Sequence, residues 1–168
     1  VRILVDNKID LICDIVGDGF EMPNLKKRVE ELNLEDKVNF HGYIDNRDLP
    51  ALLKTHNLFI SPSIRAKGGD SEGLPGTYKE AMASKVPLII GNVEGIEELI
   101  VDKVNGIIVP QKDSKAIADS VIFLMNHEDL VEKLRYNAYI KAKEYDWDNI
   151  TLKFESLFNK LTGNIDHK

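Results

Sequence analysis

Short apolar segments alternate with longer amphipathic ones along the chain. The short segments are rich in β-branched residues and almost wholly apolar, which is typical of strands covered on both faces of a sheet. They span residues 11–16, 38–41, 58–61, 88–90 and 107–109. Five such segments predict five buried strands.

The segments between these strands have helical periodicity. Leu25, Val29 and Leu32 follow Pro23 at three- and four-residue steps, and later segments repeat the pattern. Asp113 or Ser114 is a candidate N-cap for one of them. Strand and helix in alternation predict an α/β fold, a doubly wound parallel sheet of Rossmann-like type, formed by residues 1–168 as one domain.

Both ends of the chain carry apolar helical segments. Residues 2–5 predict the last turn of a helix. Because a parallel-sheet domain normally opens with a strand, we expect a first strand upstream of these residues. Residues 147–162 predict a terminal amphipathic helix with an apolar stripe. The stripe either packs on this domain's own sheet or has its partner elsewhere, and we expect it to fold back or to be covered by a neighbouring molecule. Its members include Trp147, Phe154, Leu157 and Leu161.

Composition narrows the function classes. The chain has 168 residues, 43% of them apolar, with 22 Lys and Arg against 28 Asp and Glu and a net charge of −6. That charge repels polyphosphate at long range and argues against a nucleic-acid partner. Cys13 is the single cysteine, so an internal disulfide is excluded, and no Cys/His spacing predicts a zinc site.

Gly17 and Gly19 directly follow the first predicted strand and precede a predicted helix. Glycines at the carboxyl end of a strand let the backbone pass close to a ligand. Met22 stands where a dinucleotide-binding fingerprint has its third glycine, so that fingerprint is disfavoured.

Glu72 and Glu80 flank the start of a predicted helix, with seven residues between them. Free backbone amides at a helix start form a natural phosphate site, and Gly73 and Leu74 are placed to supply them. Both carboxylates can point into the same cleft. The alternative is that Glu72 is a loop carboxylate near the helix dipole and Glu80 a solvated helix residue.

A third segment runs through residues 95–110. Asn105 and Gly106 form a tight-turn signal before the last predicted strand. Gly95 is a candidate for opening another helix amino end onto the same cleft.

Together these segments resemble a known family. The run from Ser61-Pro62 through Glu72, Glu80 and residues 81–87 is similar to the two-glutamate signature of retaining glycosyltransferases with the two-domain GT-B fold, family-4 type. Agreement extends to residues 17–19 and 95–113 and covers essentially the whole chain. The insert at residues 65–70 resembles members that act in bacterial exopolysaccharide and lipopolysaccharide synthesis.

The resemblance assigns roles by position. It implies a carboxyl-terminal domain that binds a nucleotide-sugar donor, with Glu80 accepting from the ribose hydroxyls and Glu72 contacting the transferring sugar as the catalytic carboxylate. The Gly73–Leu74 backbone would hold the diphosphate. The further donor-site positions that it implies are Gly17, Gly19, Gly42, Tyr43, Ile44 and Gly95, with residues 42–44 facing the base.

The resemblance also implies partners and location. A glycan or lipid-linked acceptor would bind an amino-terminal domain, so the chain alone should lack transferase activity. It implies no metal or other cofactor, and a cytoplasmic enzyme at the inner face of the membrane. The family's diphosphate-clamping Arg and Lys lie upstream of residue 1. Two departures are Lys85, where a helix-ending glycine is usual, and Glu94, where the first glycine of a pair is usual.

The sequence leaves two alternative functions open. One is a sugar-nucleotide 2-epimerase of the same fold, which the two-glutamate spacing disfavours. The other is a non-catalytic nucleotide-binding or signalling module, which would need an acidic cluster near Asp18 that the sequence lacks. The four histidines carry no predicted catalytic role. His41 is interpreted as a structural histidine, and His56, His127 and His167 as exposed.

Overall fold

The computed structural model describes residues 1–64 and 75–162. Within these residues the chain alternates between strands and helices, as predicted. The strands are β1 (Cys13–Val16), β2 (Val38–Gly42), β3 (Phe59–Ser61), β4 (Leu88–Gly91) and β5 (Ile107–Val109). The helices are α1 (Arg2–Asp6), α2 (Met22–Glu31), α3 (Leu49–Leu53), α4 (Gly76–Ala83), α5 (Ser114–Met125), α6 (Glu128–Lys143) and α7 (Trp147–Thr162), and Ile96–Glu98 forms a single 3-10 turn.

All strand pairs among the described residues are parallel, which confirms the predicted fold class. The strands form two sheets: β1 pairs with β2, and β4 lies between β3 and β5. We predicted one continuous sheet. The doubly wound order 3-2-1-4-5-6 has a central strand between its two halves. No described residue occupies that position, so β1 and β3 each keep one edge without a strand partner in this part of the chain.

The core surrounds the three-stranded sheet. Leu88, Ile89 and Ile90 are fully buried, as expected for a central parallel strand covered on both faces. Tyr78 and Met82 of α4 pack into the larger of two apolar clusters, which also takes in residues of α3 and α6. This cluster holds the amino end of α4 at the carboxyl end of β3.

The helix ends follow the predicted chemistry. The Asp113 carboxylate accepts a hydrogen bond from the Ala116 amide at 2.8 Å and caps α5. Lys85, in the family's usual glycine position, has φ 59°. A left-handed non-glycine residue costs about 1 kcal/mol. The Lys85 ammonium lies 4.6 Å from the ring centre of Tyr139, a cation–π contact that offsets part of this cost.

Helix α7 does not fold back on the sheet, so the first of the two expected arrangements is wrong. None of its residues is buried, and Trp147 and Leu161 are 79% and 73% exposed. Both core clusters consist of residues from earlier elements, so α7 contributes no side chain to either core. Covering of the stripe by a neighbouring molecule stays a prediction.

Of the helices in the described ranges, none is long and apolar enough to cross a bilayer.

Asn105 does more than form a turn. It is buried, its side-chain oxygen accepts from the Val101 amide at 2.7 Å, and its side-chain nitrogen donates to the Leu99 carbonyl at 3.0 Å. These two bonds fix the loop that leads into β5.

We therefore expect Asn105→Ala to lower the free energy of unfolding by about 2 kcal/mol, because two backbone groups lose their partner. Urea denaturation measures this change. Asn149→Ala, which removes an exposed side-chain bond to the Lys143 carbonyl, is the matched control and should change stability by less than about 0.5 kcal/mol. Equal losses at both positions would contradict the structural role of Asn105.

Candidate functional site

The carboxyl ends of β1 and β2 are tied together at two predicted site residues. Gly17 follows β1 with φ 123°, and Gly42 ends β2 with φ 66°. The Gly17 amide donates to the Gly42 carbonyl at 2.7 Å. A Cβ at either position would meet no atom within 4 Å. These glycines are therefore required by the backbone conformation, and the space beside them is open.

The other predicted residues near these strand ends differ in exposure. Tyr43 is 75% exposed, whereas Ile44 packs against the main core cluster. The Gly19 amide donates to the Asp18 carboxylate at 2.7 Å. Tyr43 is thus available to a ligand, and the Gly19 amide already has an acceptor.

Glu80 is the predicted site residue with the clearest chemical signal. It lies one turn into α4, and its Oε2 atom is buried without a hydrogen-bond partner. A buried acceptor left unpaired costs about 1–3 kcal/mol, more when charged, and such atoms are rare in native proteins. The N-cap position of α4 is Pro75, and among the described residues no side chain caps this end of the helix. Within this part of the chain the helix therefore offers a carboxylate oxygen to a hydroxyl donor and uncapped amides to an anion.

A cluster of three hydroxyls anchors this end of α4 to β3. The buried Tyr78 hydroxyl lies 3.1 Å from Ser61 Oγ and 2.9 Å from Ser63 Oγ, and the two serine oxygens are 3.1 Å apart. The sequence pattern at Ser61-Pro62-Ser63 indicates only a strand end, and nothing in it predicts the contact with Tyr78. The cluster fixes the backbone from which the Glu80 side chain extends.

Gly95 does not open a helix of useful length. It adopts φ 83° and is followed by the single 3-10 turn of Ile96–Glu98, which contains the acidic residues Glu97 and Glu98. The prediction of a second helix amino end is therefore wrong, because one short turn lacks the aligned amides of an anion site. Gly95 still lies just beyond β4, at the same end of the sheet as the start of α4.

Three predicted residues, Glu72, Gly73 and Leu74, lie outside the described residues, and their roles stay predictions.

A cavity of about 280 Å³ opens at the carboxyl ends of β3, β4 and β5. Its lining includes Pro62, Gly91, Gln111, Lys112 and Asp113. None of the predicted site residues that the structure describes lines it, so we place no role on it.

A second polar cluster, which we call the Asp14 cluster, was not predicted. Its members are Asp14, Asn39, His41 and His56. The Asp14 carboxylate accepts from Asn39 Nδ2 at 2.8 Å, from His41 Nε2 at 2.9 Å and from His56 Nε2 at 2.6 Å. The prediction that His56 is exposed is wrong: its side chain is 26% exposed. A single polar residue in an apolar strand, Asp14, was the available signal.

The Asp14 cluster shifts two ionisations. The hydrogen bonds from His41, Asn39 and His56 lower the pKa of Asp14 to about 2. Burial alone would lower the pKa of His56. The hydrogen bonds of the ring to the Leu52 carbonyl and the Asp14 carboxylate outweigh burial, and the pKa of His56 is raised. Among the described residues no group of three or more His, Cys, Asp or Glu side chains forms a metal site.

A parallel α/β domain with its candidate site at the carboxyl ends of the strands is the architecture of one half of a GT-B enzyme. The model of the family "Glycosyl transferases group 1" matches residues 1–141. The chain belongs to this glycosyltransferase family.

Relatives agree with this assignment. The amylovoran biosynthesis glycosyltransferase AmsK of Erwinia amylovora is 33% identical over 114 residues, which are 68% of this chain and 28% of AmsK. A TarM mutant of S. aureus, solved with UDP among its ligands, is 26% identical with a TM-score of 0.79 over 94% of this chain and 31% of TarM. Anabaena HepE in complex with UDP has the same fold, with 24% identity and a TM-score of 0.75 over 90% of this chain and 41% of HepE. The chain thus spans less than half the length of each protein.

Proposed function

We propose that this chain is the donor-binding domain of a retaining glycosyltransferase. The full enzyme would move a hexose from a nucleoside-diphosphate sugar to a growing surface polysaccharide or a lipid-linked acceptor. The observation that carries this proposal is the unpartnered, buried Oε2 of Glu80 at the open amino end of α4, in a chain of this family.

Each part of the donor has a chemically suited partner in the proposal. Glu80 accepts hydrogen bonds from the two ribose hydroxyls, because an ionised carboxylate only accepts. The amides of Gly73 and Leu74 hold the diphosphate, and Gly42, Tyr43 and Ile44 face the base. Glu72 contacts hydroxyls of the transferring sugar. Gly17, Gly19 and Gly95 provide backbone at the strand ends.

The leaving nucleoside diphosphate accumulates negative charge as the sugar departs. Backbone amides at the start of α4 and cations from elsewhere in the enzyme would stabilise this charge without a metal. The acceptor would bind a separate domain, and the full enzyme would act in the cytoplasm at the inner face of the membrane. AmsK functions in amylovoran biosynthesis by its name, which supports a polysaccharide acceptor here.

Nucleotide titration tests this proposal. The ligands are UDP, GDP, ADP and their sugars at about 10 mM. We expect the nucleotides of one base to raise the melting temperature of the chain, because a ligand that binds only the folded state stabilises it by mass action. Inorganic pyrophosphate is the control for non-specific anion binding. An equal shift with pyrophosphate, or no shift with any nucleotide, would contradict a donor site.

A further inference from the structure

The Asp14 cluster joins the two sheets. Asp14 lies on β1, and Asn39 and His41 lie beside it on β2. His56 belongs to the part of the chain that forms the other sheet, in the turn between α3 and β3. The 2.6 Å bond from His56 Nε2 to Asp14 Oδ2 spans 42 positions of the chain. The cluster therefore bridges two sheets that share no strand pair among the described residues.

The bonding pattern of His56 favours a charged ring. Nδ1 lies 2.8 Å from the Leu52 carbonyl oxygen, and Nε2 lies 2.6 Å from the Asp14 carboxylate. The Leu52 carbonyl and the Asp14 carboxylate both accept hydrogen bonds, so the ring satisfies both partners when both of its nitrogens donate. The Thr55 hydroxyl donates to the Leu52 carbonyl at 2.7 Å and lies 3.1 Å from Nδ1. The geometry is that of an imidazolium–carboxylate pair.

The same carboxylate reaches the proposed base-facing loop. In the β1–β2 register Ile15 pairs with Phe40 but Val16 pairs with Gly42, so His41 is the extra residue of a β-bulge. Bulges redirect a side chain and bend the strand, and here the redirected side chain of His41 binds Asp14. Gly42–Ile44 follow at once. A change at Asp14 thus acts directly on the residue that precedes this loop.

We propose that Asp14 and His56 are positioning residues: their ion pair fixes β1 and β2, and with them the loop Gly42–Ile44, relative to β3 and α4. This inference rests on the proposed function, because it makes the base-facing part of the donor site depend on a protonated His56. Neither residue needs to touch the donor.

The pH dependence follows from the two pKa shifts. The pKa of His56 is raised in the folded state, so its contribution is complete below about pH 6.5 and is lost as the pH rises through the raised value. The pKa of Asp14 is lowered to about 2, so its contribution is lost only as the pH falls from about 4 through that value. The titratable groups around the pair are His41 on β2 and the Cys13 thiol, whose pKa is raised by burial.

The first experiment needs no ligand. Proton NMR of the histidine rings and nitrogen–proton correlation spectra of the chain are recorded from pH 5.5 to 8.5. We expect the amide signals of Gly42, Tyr43 and Ile44 to move with the same midpoint as the His56 ring. Asp14→Asn should lower that midpoint, and His56→Gln should abolish the movement of the loop signals.

Two matched variants control for loss of charge alone. Asp10→Asn removes the carboxylate of an exposed ion pair with Lys37, and His127→Gln removes an exposed histidine whose ring bonds to the Phe123 carbonyl of α5. Both should keep the wild-type midpoint and loop movement. The proposal is overturned if Asp14→Asn leaves the His56 midpoint unchanged, or if the loop signals do not follow the His56 titration.

The second experiment measures affinity for the tightest binder among UDP, GDP and ADP. Between pH 6 and pH 8.5 the nucleotide affinity of the wild type should fall by about fivefold or more. A fivefold change is about the lower end of the range for coupling between two sites. Asp14→Asn and His56→Gln should start with the weaker affinity and vary less with pH. Asp10→Asn reports any effect of the nucleotide's own ionisation. Loss of thermal stability in the variants with an unchanged affinity profile would show a purely structural role and overturn the proposal. Absence of all nucleotide binding would refute the proposed function, and the NMR titration would still decide the positioning role.

Discussion

Replacing Glu80 by glutamine is expected to weaken nucleoside-diphosphate binding by about ten- to a hundredfold. The amide keeps the size of the side chain and one acceptor oxygen, but it loses charge-assisted bonds to two ribose hydroxyls. Such bonds contribute about 1.5–3 kcal/mol. The intact donor should lose the same factor, since both ligands carry the ribose. Calorimetry with the diphosphate and its sugar measures both losses.

Glu72→Gln provides the internal comparison. Its proposed partners are on the transferring sugar, so diphosphate affinity should remain nearly unchanged while turnover of the full enzyme falls. Glu128→Gln, in the exposed first turn of α6, should change neither quantity. Equal and small effects at Glu72 and Glu80 would exclude a paired site. Loss of diphosphate binding at Glu72 alone would mean that the two roles are reversed.

Gly91→Ala is expected to lower the free energy of unfolding by about 2–3 kcal/mol, at the upper end of overpacking effects. A Cβ at Gly91 would overlap the Ser63 carbonyl oxygen and lie 3.2 Å from the Ser63 nitrogen. These are backbone atoms and have little freedom to move. The melting temperature should fall by about 5–10 °C for a domain of this size.

Gly76→Ala is the matched control for this change. A Cβ at Gly76 meets no atom within 4 Å, and the residue begins α4. Alanine there should be neutral or should stabilise by about 0.4–1 kcal/mol. If Gly91→Ala is as well tolerated as Gly76→Ala, the close approach of β4 to Ser63 is not a constraint on the fold.

The strands were predictable because burial on both faces leaves a strong signal in sequence. Residues 88–90 are uniformly apolar and became the fully buried strand β4. The apolar stripe of α7 correctly predicted a helix over residues 147–162. It did not predict what the helix contacts, because amphipathic periodicity reports an apolar face and not the surface that covers it.

The candidate site was predictable only in part, for a related reason. Glu80 and the glycines at the strand ends belong to local patterns, and the structure places Glu80 within the expected helix and the glycines beside the expected strands. The Asp14–His56 pair and the Tyr78–Ser63 contact join residues far apart in sequence. Spacing along one chain carries no signal for such pairs. Their chemistry becomes visible only when the fold brings the side chains together.

The separation of the two sheets gives the protein two levels of stability. Apart from Ile44, both apolar clusters consist of residues from position 49 onward. Among the described residues before position 49, the only buried apolar ones are Leu4, Leu34 and Val38. Regions with few buried apolar contacts open at lower free energy than the whole domain. Native-state hydrogen exchange should therefore show β1, α2 and β2 opening as one cooperative unit while β3, β4 and β5 stay closed. The base-facing half of the proposed site would then be the part that unfolds first.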